Sequence, residues 1–169
     1  MALSKLVLYI FIALASTGCL RYSFTGTTIP EGVNTIYIPF FPDQSNSGLG
    51  DLSERLNRAL IDRFVNQSRL RLANTAEEAD AVLDGVITTY SNRPFSVAGN
   101  ELATQNQVLV AVRASFIYKT EENPLWDKPF NGNFTFDPNE DPIDGERNAA
   151  DEALQQVANN MFNDAVSSW

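Results

Sequence analysis

The chain has 169 residues, a formal net charge of -9, no histidine and a single cysteine, Cys19. This balance argues against a nucleic-acid binder, which needs clustered Lys and Arg to neutralise phosphates, and against an electrostatic hold on anionic lipid. Without histidine, the commonest general base near neutral pH and the commonest transition-metal ligand are both missing, while carboxylates remain, so composition does not exclude an oxygen-ligand metal site or a carboxylate hydrolase.

Lys5 precedes an apolar run from Leu6 to Ala15, the length of a signal-peptide core and too short to span a bilayer as a helix. Leu14-Ala15-Ser16-Thr17-Gly18-Cys19 then resembles a bacterial lipobox, with Ser16 where Leu is commoner. In such a motif the cysteine is acylated and becomes the new N-terminus. Residues 1–18 are therefore expected to be a lipoprotein signal peptide, Cys19 the lipid attachment, 19–28 a lipid-anchored tether and 29–169 a single domain. Acylation also accounts for a lone thiol in an exported chain. More than one acyl chain anchors stably, because each buried methylene contributes about 0.8 kcal/mol. Leu20, rather than Asp, after the cysteine implies the outer membrane.

Pro30-Glu31-Gly32 makes a turn into a strand over Val33 to Phe40, with Ile36, Ile38 and Phe40 on one face and Thr35 and Tyr37 on the other. Asp51-Leu52-Ser53-Glu54 has capping-box spacing and opens a helix ending near Gln67. Its apolar face is Leu52, Leu56, Ala59, Leu60 and Phe64, and Glu54, Arg55, Arg58, Asp62 and Arg63 are expected to face water. A short strand follows over Arg69 to Leu72, then one from Ala81 to Tyr90 with Leu83 and Ile87 on one face and Val86 and Tyr90 on the other. Arg93-Pro94-Phe95 is expected to break the pairing, and Ala98-Gly99-Asn100 to turn.

The longest strand is predicted over about Gln105 to Thr120. Val108, Val110, Val112, Ala114, Phe116 and Tyr118 form an apolar face, and Leu109, Arg113, Ser115 and Lys119 a mixed one. Strict alternation of this kind suits an antiparallel sheet covered on one side only. Leu125 to Phe136 returns as its hairpin partner, with Pro129 implying an edge position or a bulge. A final helix runs from about Glu146 to Ser167, with Ala150, Leu154, Val157, Ala158, Met161, Phe162 and Ala165 on one face. The expected class is α+β: a two-layer sandwich of two amphipathic helices on one face of a mixed, mainly antiparallel sheet of about four strands.

Motifs that carry chemistry are few. Gly48-Leu49-Gly50 lacks the lysine of a phosphate loop and is followed by Asp51, which would repel a phosphate. Asp137-Pro138-Asn139-Glu140-Asp141 has the opening spacing of a calcium loop, but Pro142 stands where the turn needs glycine and Asn148 where it needs a bidentate Glu. A carboxylate hydrolase needs two acids across a cleft; Asp80, Asp84 and Asp127 are the acids to test, and the sequence shows no such pairing. The expectation is a protein that acts by binding rather than catalysis, with no cofactor and no metal site.

The order of lipobox, strand, helix, strands with a long hairpin and C-terminal helix ending in tryptophan resembles the LptE-like lipopolysaccharide-assembly lipoproteins, in a divergent branch. The residues that carry the likeness are Cys19-Leu20-Arg21-Tyr22-Ser23-Phe24-Thr25-Gly26, Ile29-Pro30-Glu31-Gly32-Val33, the helix from Leu56 to Phe64, Leu83-Asp84-Gly85-Val86-Ile87 with Arg93-Pro94 after it, and the ending Phe162 to Trp169. The resemblance implies a periplasmic-side plug for a large outer-membrane β-barrel, which it helps to assemble and to deliver lipopolysaccharide to the outer leaflet. It implies two helices on a four-stranded sheet. The barrel is the first expected partner. Lipopolysaccharide is the second, because an acidic chain holds a phosphorylated glycolipid only where its few cations cluster. Leu109, Arg113, Ile117 and Lys119 are the candidate contacts on the mixed sheet face, with Arg69, Arg71 and Arg93 as further lipid or barrel contacts. The alternative is an auxiliary lipoprotein of another envelope lipid-transport or secretion complex, suggested by Ala79-Asp80-Ala81-Val82-Leu83-Asp84-Gly85.

Overall fold

The computed structural model describes residues 29–95, 105–140 and 143–167. The lipobox, the tether, the turn at Ala98-Gly99-Asn100 and Trp169 lie outside the described residues. The sheet has five strands in the order β2-β1-β3-β4-β5. β1 (Thr35–Tyr37) runs parallel to β2 (Arg71–Leu72) and to β3 (Ala81–Phe95), while β3, β4 (Gln105–Tyr118) and β5 (Trp126–Phe136) form an antiparallel meander. The two-residue β2 is the strand predicted over Arg69 to Leu72, shorter than expected, and with it the sheet has five strands where about four were expected. Helix α1 (Leu52–Ile61) continues through a π-helical segment, Asp62–Asn66, and α2 spans Asp144–Ser167.

Both helices cover the same face of the sheet. Val108, Val110, Val112, Ala114, Phe116 and Tyr118 are all buried there against Leu52, Leu56, Leu60 and Phe64 of α1 and Leu154, Val157 and Met161 of α2. The alternation predicted for β4 is thus the face the helices bury. β5 is an outer strand of the sheet, as Pro129 required. Where Gly132 of β5 faces α2, a Cβ would lie 1.9 Å from the Ala153 carbonyl oxygen, so the helix and strand backbones are in contact. At the far end of β4 the Tyr118 hydroxyl donates to the Ala165 carbonyl at 3.2 Å, and burial pushes its phenol up to about 12.

Five local expectations are corrected. β1 is shorter than predicted, and past Pro39 its phase changes, so Phe41 is buried and Phe40 is 65% exposed. The capping box does not form: Asp51 sits at the N-cap with φ -110 and ψ 5, outside the extended region that lets a cap side chain reach back. Ser53 instead donates its hydroxyl to the Phe41 carbonyl at 2.5 Å. Arg55 is buried, not solvated, because α2 lies across it; its Nε donates to Asp151 Oδ1 at 2.8 Å and its Nη2 to the Arg147 carbonyl.

The remaining two corrections concern β3. Its register slips between Ile87, opposite Val112, and Thr89, opposite Ala111. One inserted residue reverses the alternation beyond it, so Tyr90 pairs with Val110 and joins the core face rather than sharing the face of Val86. Its hydroxyl donates to Glu146 Oε1 at 2.6 Å, and burial, then the Glu146 carboxylate, push the phenol up. The slip lies beside residues 42–44, where the Ile87 N–H donates to the Pro42 carbonyl and the Gln44 N–H to the Ile87 carbonyl. Finally, Pro94 does not break the pairing, for Pro94 and Phe95 stay in register with Asn106 and Gln105. Beyond Ile87 no described strand or bridge pairs with β3 on its β1 side, and a proline is tolerated where its missing N–H would face an open edge.

Asp80 fastens the start of β1 to that of β3. Its Oδ2 accepts from the Asn34 N–H at 2.8 Å, the Thr35 N–H at 3.0 Å and the Thr35 hydroxyl at 2.9 Å. These bonds, the Asn34 N–H foremost, hold its carboxyl below the usual carboxylate range. A depressed native pKa stabilises the fold above the ordinary carboxylate range, and the effect is lost as pH falls through the native value. Asp80→Asn is therefore expected to lower the melting temperature at pH 7. The gap to wild type should narrow as pH falls below about 4, the ordinary carboxylate value, and on through the lower native one, as followed by circular dichroism. A gap constant across that range would show that the carboxylate charge is not what fastens the strands.

Candidate functional site

The sheet face opposite the helices is uncovered by any described element, and its side chains fall in rows set by the strand register. Tyr37, Val82 and Ile117 form one row across β1, β3 and β4. Asp84, Ser115 and Asp127 form the next, and Val86, Arg113 and Pro129 the third. Beyond the register slip come Thr89, Ala111 and Asn131, then Ser91, Leu109 and Asn133, then Arg93, Gln107 and Thr135. Tyr37, Val82, Val86, Leu109, Ala111 and Ile117 shield one another to intermediate exposure, while Asp84, Arg113, Asp127 and Asn131 are exposed. The face therefore carries two apolar patches, Tyr37, Val82 and Ile117 at one end and Val86, Ala111 and Leu109 further along, separated by the row of Asp84, Ser115 and Asp127; the Arg113 guanidinium pairs with Asp127 Oδ1 at 3.1 Å.

The predicted contact residues divide into two groups. Leu109, Arg113 and Ile117 lie in line on β4, with Leu109 and Ile117 roughly 27 Å apart at the usual strand rise. Arg93 joins them, since the register slip puts it on the open face opposite Gln107, with its Nη2 3.4 Å from Ser91 Oγ. Arg69, Arg71 and Lys119 lie instead at the end of the sheet where the chain enters. Arg69 donates to the Ile29 and Pro30 carbonyls at 2.9 and 2.6 Å, and Lys119 Nζ to the Glu77 carbonyl at 2.5 Å. Arg71 is exposed on β2, opposite Thr35. The seven residues do not form one cationic patch. Tyr37 and Val82 join Ile117 in one apolar patch and were not singled out as contacts. Their alternation was legible, but their adjacency to Ile117 needs the register between β1, β3 and β4.

The acids that a hydrolase would need are placed differently. Asp80 is held by the strand-fastening bonds, and Asp84 and Asp127 stand two strand spacings apart on the open sheet face, with Ser115 between them and Asp127 paired to Arg113. In the former calcium-loop stretch, Asp137 Oδ1 accepts the Asn139 N–H at 2.8 Å, making a local turn. Among the described residues, no three or more His, Cys, Asp or Glu are grouped so as to hold a metal ion. On the outer side of the helix layer, a groove of about 410 Å³ between α1 and α2 is lined by Arg55, Arg58, Arg63, Asp62 and Asp151. Its cations are largely matched internally: Arg55 by Asp151, Arg58 by Glu54, and Arg63 by its position 4.2 Å over the Phe162 ring.

The sequence matches the family model described as LptE: Lipopolysaccharide-assembly over residues 33–165. The chain belongs to the LptE family. The matched span contains every described strand and α1, and nearly all of α2, so the LptE match covers the sheet, the layer over it and the open face together. No curated protein matches by sequence. A Xanthomonas campestris protein of known crystal structure shares 10% identity and covers 84% of this chain and 90% of its own, at a TM-score of 0.58. A candidate lipoprotein from Caulobacter crescentus shares 12% identity and covers 77% and 86%, at a TM-score of 0.52. At such identities these two likenesses concern the fold, and they agree with the two-layer arrangement of the LptE chain.

Proposed function

We propose that this LptE-family protein is an outer-membrane lipoprotein that sits within a large β-barrel translocon, assists its assembly and supports export of lipopolysaccharide to the outer leaflet. The family match across the two-layer domain carries the reading. Residues 1–18 are the proposed signal peptide, Cys19 the proposed lipid attachment and 19–28 the tether that keeps the domain on the periplasmic side near its barrel. Among the described residues no helix is long and apolar enough to cross a membrane. The protein acts by binding and not by catalysis.

The open sheet face supports a docking role, because apolar patches interleaved with polar groups match the mixed composition of a non-obligate interface. On this reading Leu109, Arg113, Ile117 and Arg93 meet the barrel, while Arg69, Arg71 and Lys119 are further candidate contacts at the end of the sheet, where Arg69 holds the Ile29 and Pro30 carbonyls. Lipopolysaccharide comes second as a ligand, given the acidic chain and the dispersed cations. Introducing Leu109→Asp together with Ile117→Asp places one charge in each apolar patch. The pair is expected to cut the barrel recovered with the solubilised lipoprotein by about tenfold or more, with the melting temperature little changed. Barrel recovery at the wild-type level would overturn the reading of this face. Recovery of an inner-membrane component in place of any barrel would favour the auxiliary-lipoprotein alternative.

A further inference from the structure

β5 is an outer strand of the sheet, 11 residues long. A strand of that length would ordinarily offer a row of unpaired backbone groups for another chain to extend. Here helix α2 meets that edge. The Asn133 N–H donates to Gln156 Oε1 at 3.2 Å, Asn160 Nδ2 donates to the Asn131 carbonyl at 3.5 Å, and Lys128 Nζ pairs with Asp164 Oδ2 at 2.5 Å. Gln156, Asn160 and Asp164 are successive residues at helical i, i+4 spacing, so they form one stripe. Four helical residues advance roughly 6 Å and two strand residues roughly 6.7 Å, which lets the stripe keep step with Asn133 and Asn131 as α2 runs antiparallel to β5.

The same bonds assign the direction of the edge. Backbone groups of alternate residues point to opposite sides of a strand. Because Asn131 and Asn133 turn theirs away from β4, Pro129 does too, and its missing N–H falls on the outer edge. One outward donor is thus absent, one is taken by Gln156, and one outward acceptor is taken by Asn160.

We propose that the Gln156, Asn160 and Asp164 stripe, with Pro129, is an edge guard that stops a second copy of this chain from adding to β5. The guard keeps the lipoprotein from extending its sheet edge to edge, where the shared acyl anchor would otherwise raise the local concentration of copies. It concerns a different surface from the open sheet face, and its test does not involve a barrel.

The mature chain in detergent carrying Gln156→Ala, Asn160→Ala and Asp164→Ala tests it by light scattering after size exclusion, with circular dichroism confirming native content. The expected result is a concentration-dependent dimer where wild type stays monomeric, and an Asn133 amide that exchanges about tenfold faster in the dilute variant than in wild type. Adding Asn133→Pro to the triple variant blocks an outward position without removing a bond to β4, and is expected to restore the monomer. A triple variant that stays monomeric with unchanged Asn133 exchange would overturn the proposal. So would a dimer that survives Asn133→Pro, since that association would run through another surface.

Discussion

Gly132→Ala is expected to be severely destabilising, although it adds a single methyl group. The new Cβ would fall 1.9 Å from the Ala153 carbonyl oxygen and 2.8 Å from its carbon. Both are backbone atoms of α2 and have no rotamer to yield with. The helix must lift from β5 or the strand must buckle, and either movement loosens the packing of Leu154, Val157 and Met161, which are essentially fully buried. Overpacking typically costs about 1–3 kcal/mol, and a clash with backbone atoms puts this site at the upper end, a large share of the roughly 5–15 kcal/mol that holds a domain together. Urea unfolding measures it. Because the clash is with a carbonyl, Ala153→Gly should not rescue the variant. A loss under about 0.5 kcal/mol, or rescue by Ala153→Gly, would show that the helix does not ride directly on the strand.

Phe116→Ala is expected to produce a loss at least as large, about 3–5 kcal/mol. Its side chain is the centre of an aromatic cluster at the end of the core nearest Ile29. The ring stacks on Phe64 of the π-helical segment and on Trp126 of β5, with centroids 6.2 and 5.7 Å away, and meets Tyr118 edge-on at 5.0 Å. Removing it opens a cavity that three large rings border, and rings of that size cannot collapse into it without leaving their own contacts. Phe116→Leu keeps most of the volume and should lose distinctly less. Denaturant midpoints at unchanged slope would check the series. A loss under about 1 kcal/mol for the alanine variant would mean that the cluster is loosely packed.

The open sheet face was partly legible from local pattern. Leu109, Arg113 and Ile117 stand at odd positions of β4, and period-two alternation opposite the buried Val108 to Tyr118 series is enough to turn them away from the core. Arg93 and Tyr90 were harder. Their facing depends on one inserted residue between Ile87 and Thr89, and nothing in the alternation of Val86, Ile87, Thr88 and Thr89 announces it. The partition of the cations into Arg93 and Arg113 on the face, and Arg69, Arg71 and Lys119 at its end, likewise follows from strand order.

By itself the sequence determined the two amphipathic helices, the long β4–β5 hairpin, the class of two layers and, through the lipobox resemblance and the ordered motifs, the family to expect. Those features rest on periodicity and turn chemistry within a few residues of each other, and neighbouring residues constrain each other whatever the rest of the chain does. Tertiary structure alone decided the burial of Arg55, the contact of Gly132 with Ala153, the joining of Tyr37 and Val82 to Ile117, and the cover that Gln156 and Asn160 place on β5. Arg55 meets a partner 96 residues away, and Asn133 one 23 residues away. Helical spacing assigns a residue to a face of its own helix, but only the packing of a distant element decides whether that face meets water or another backbone.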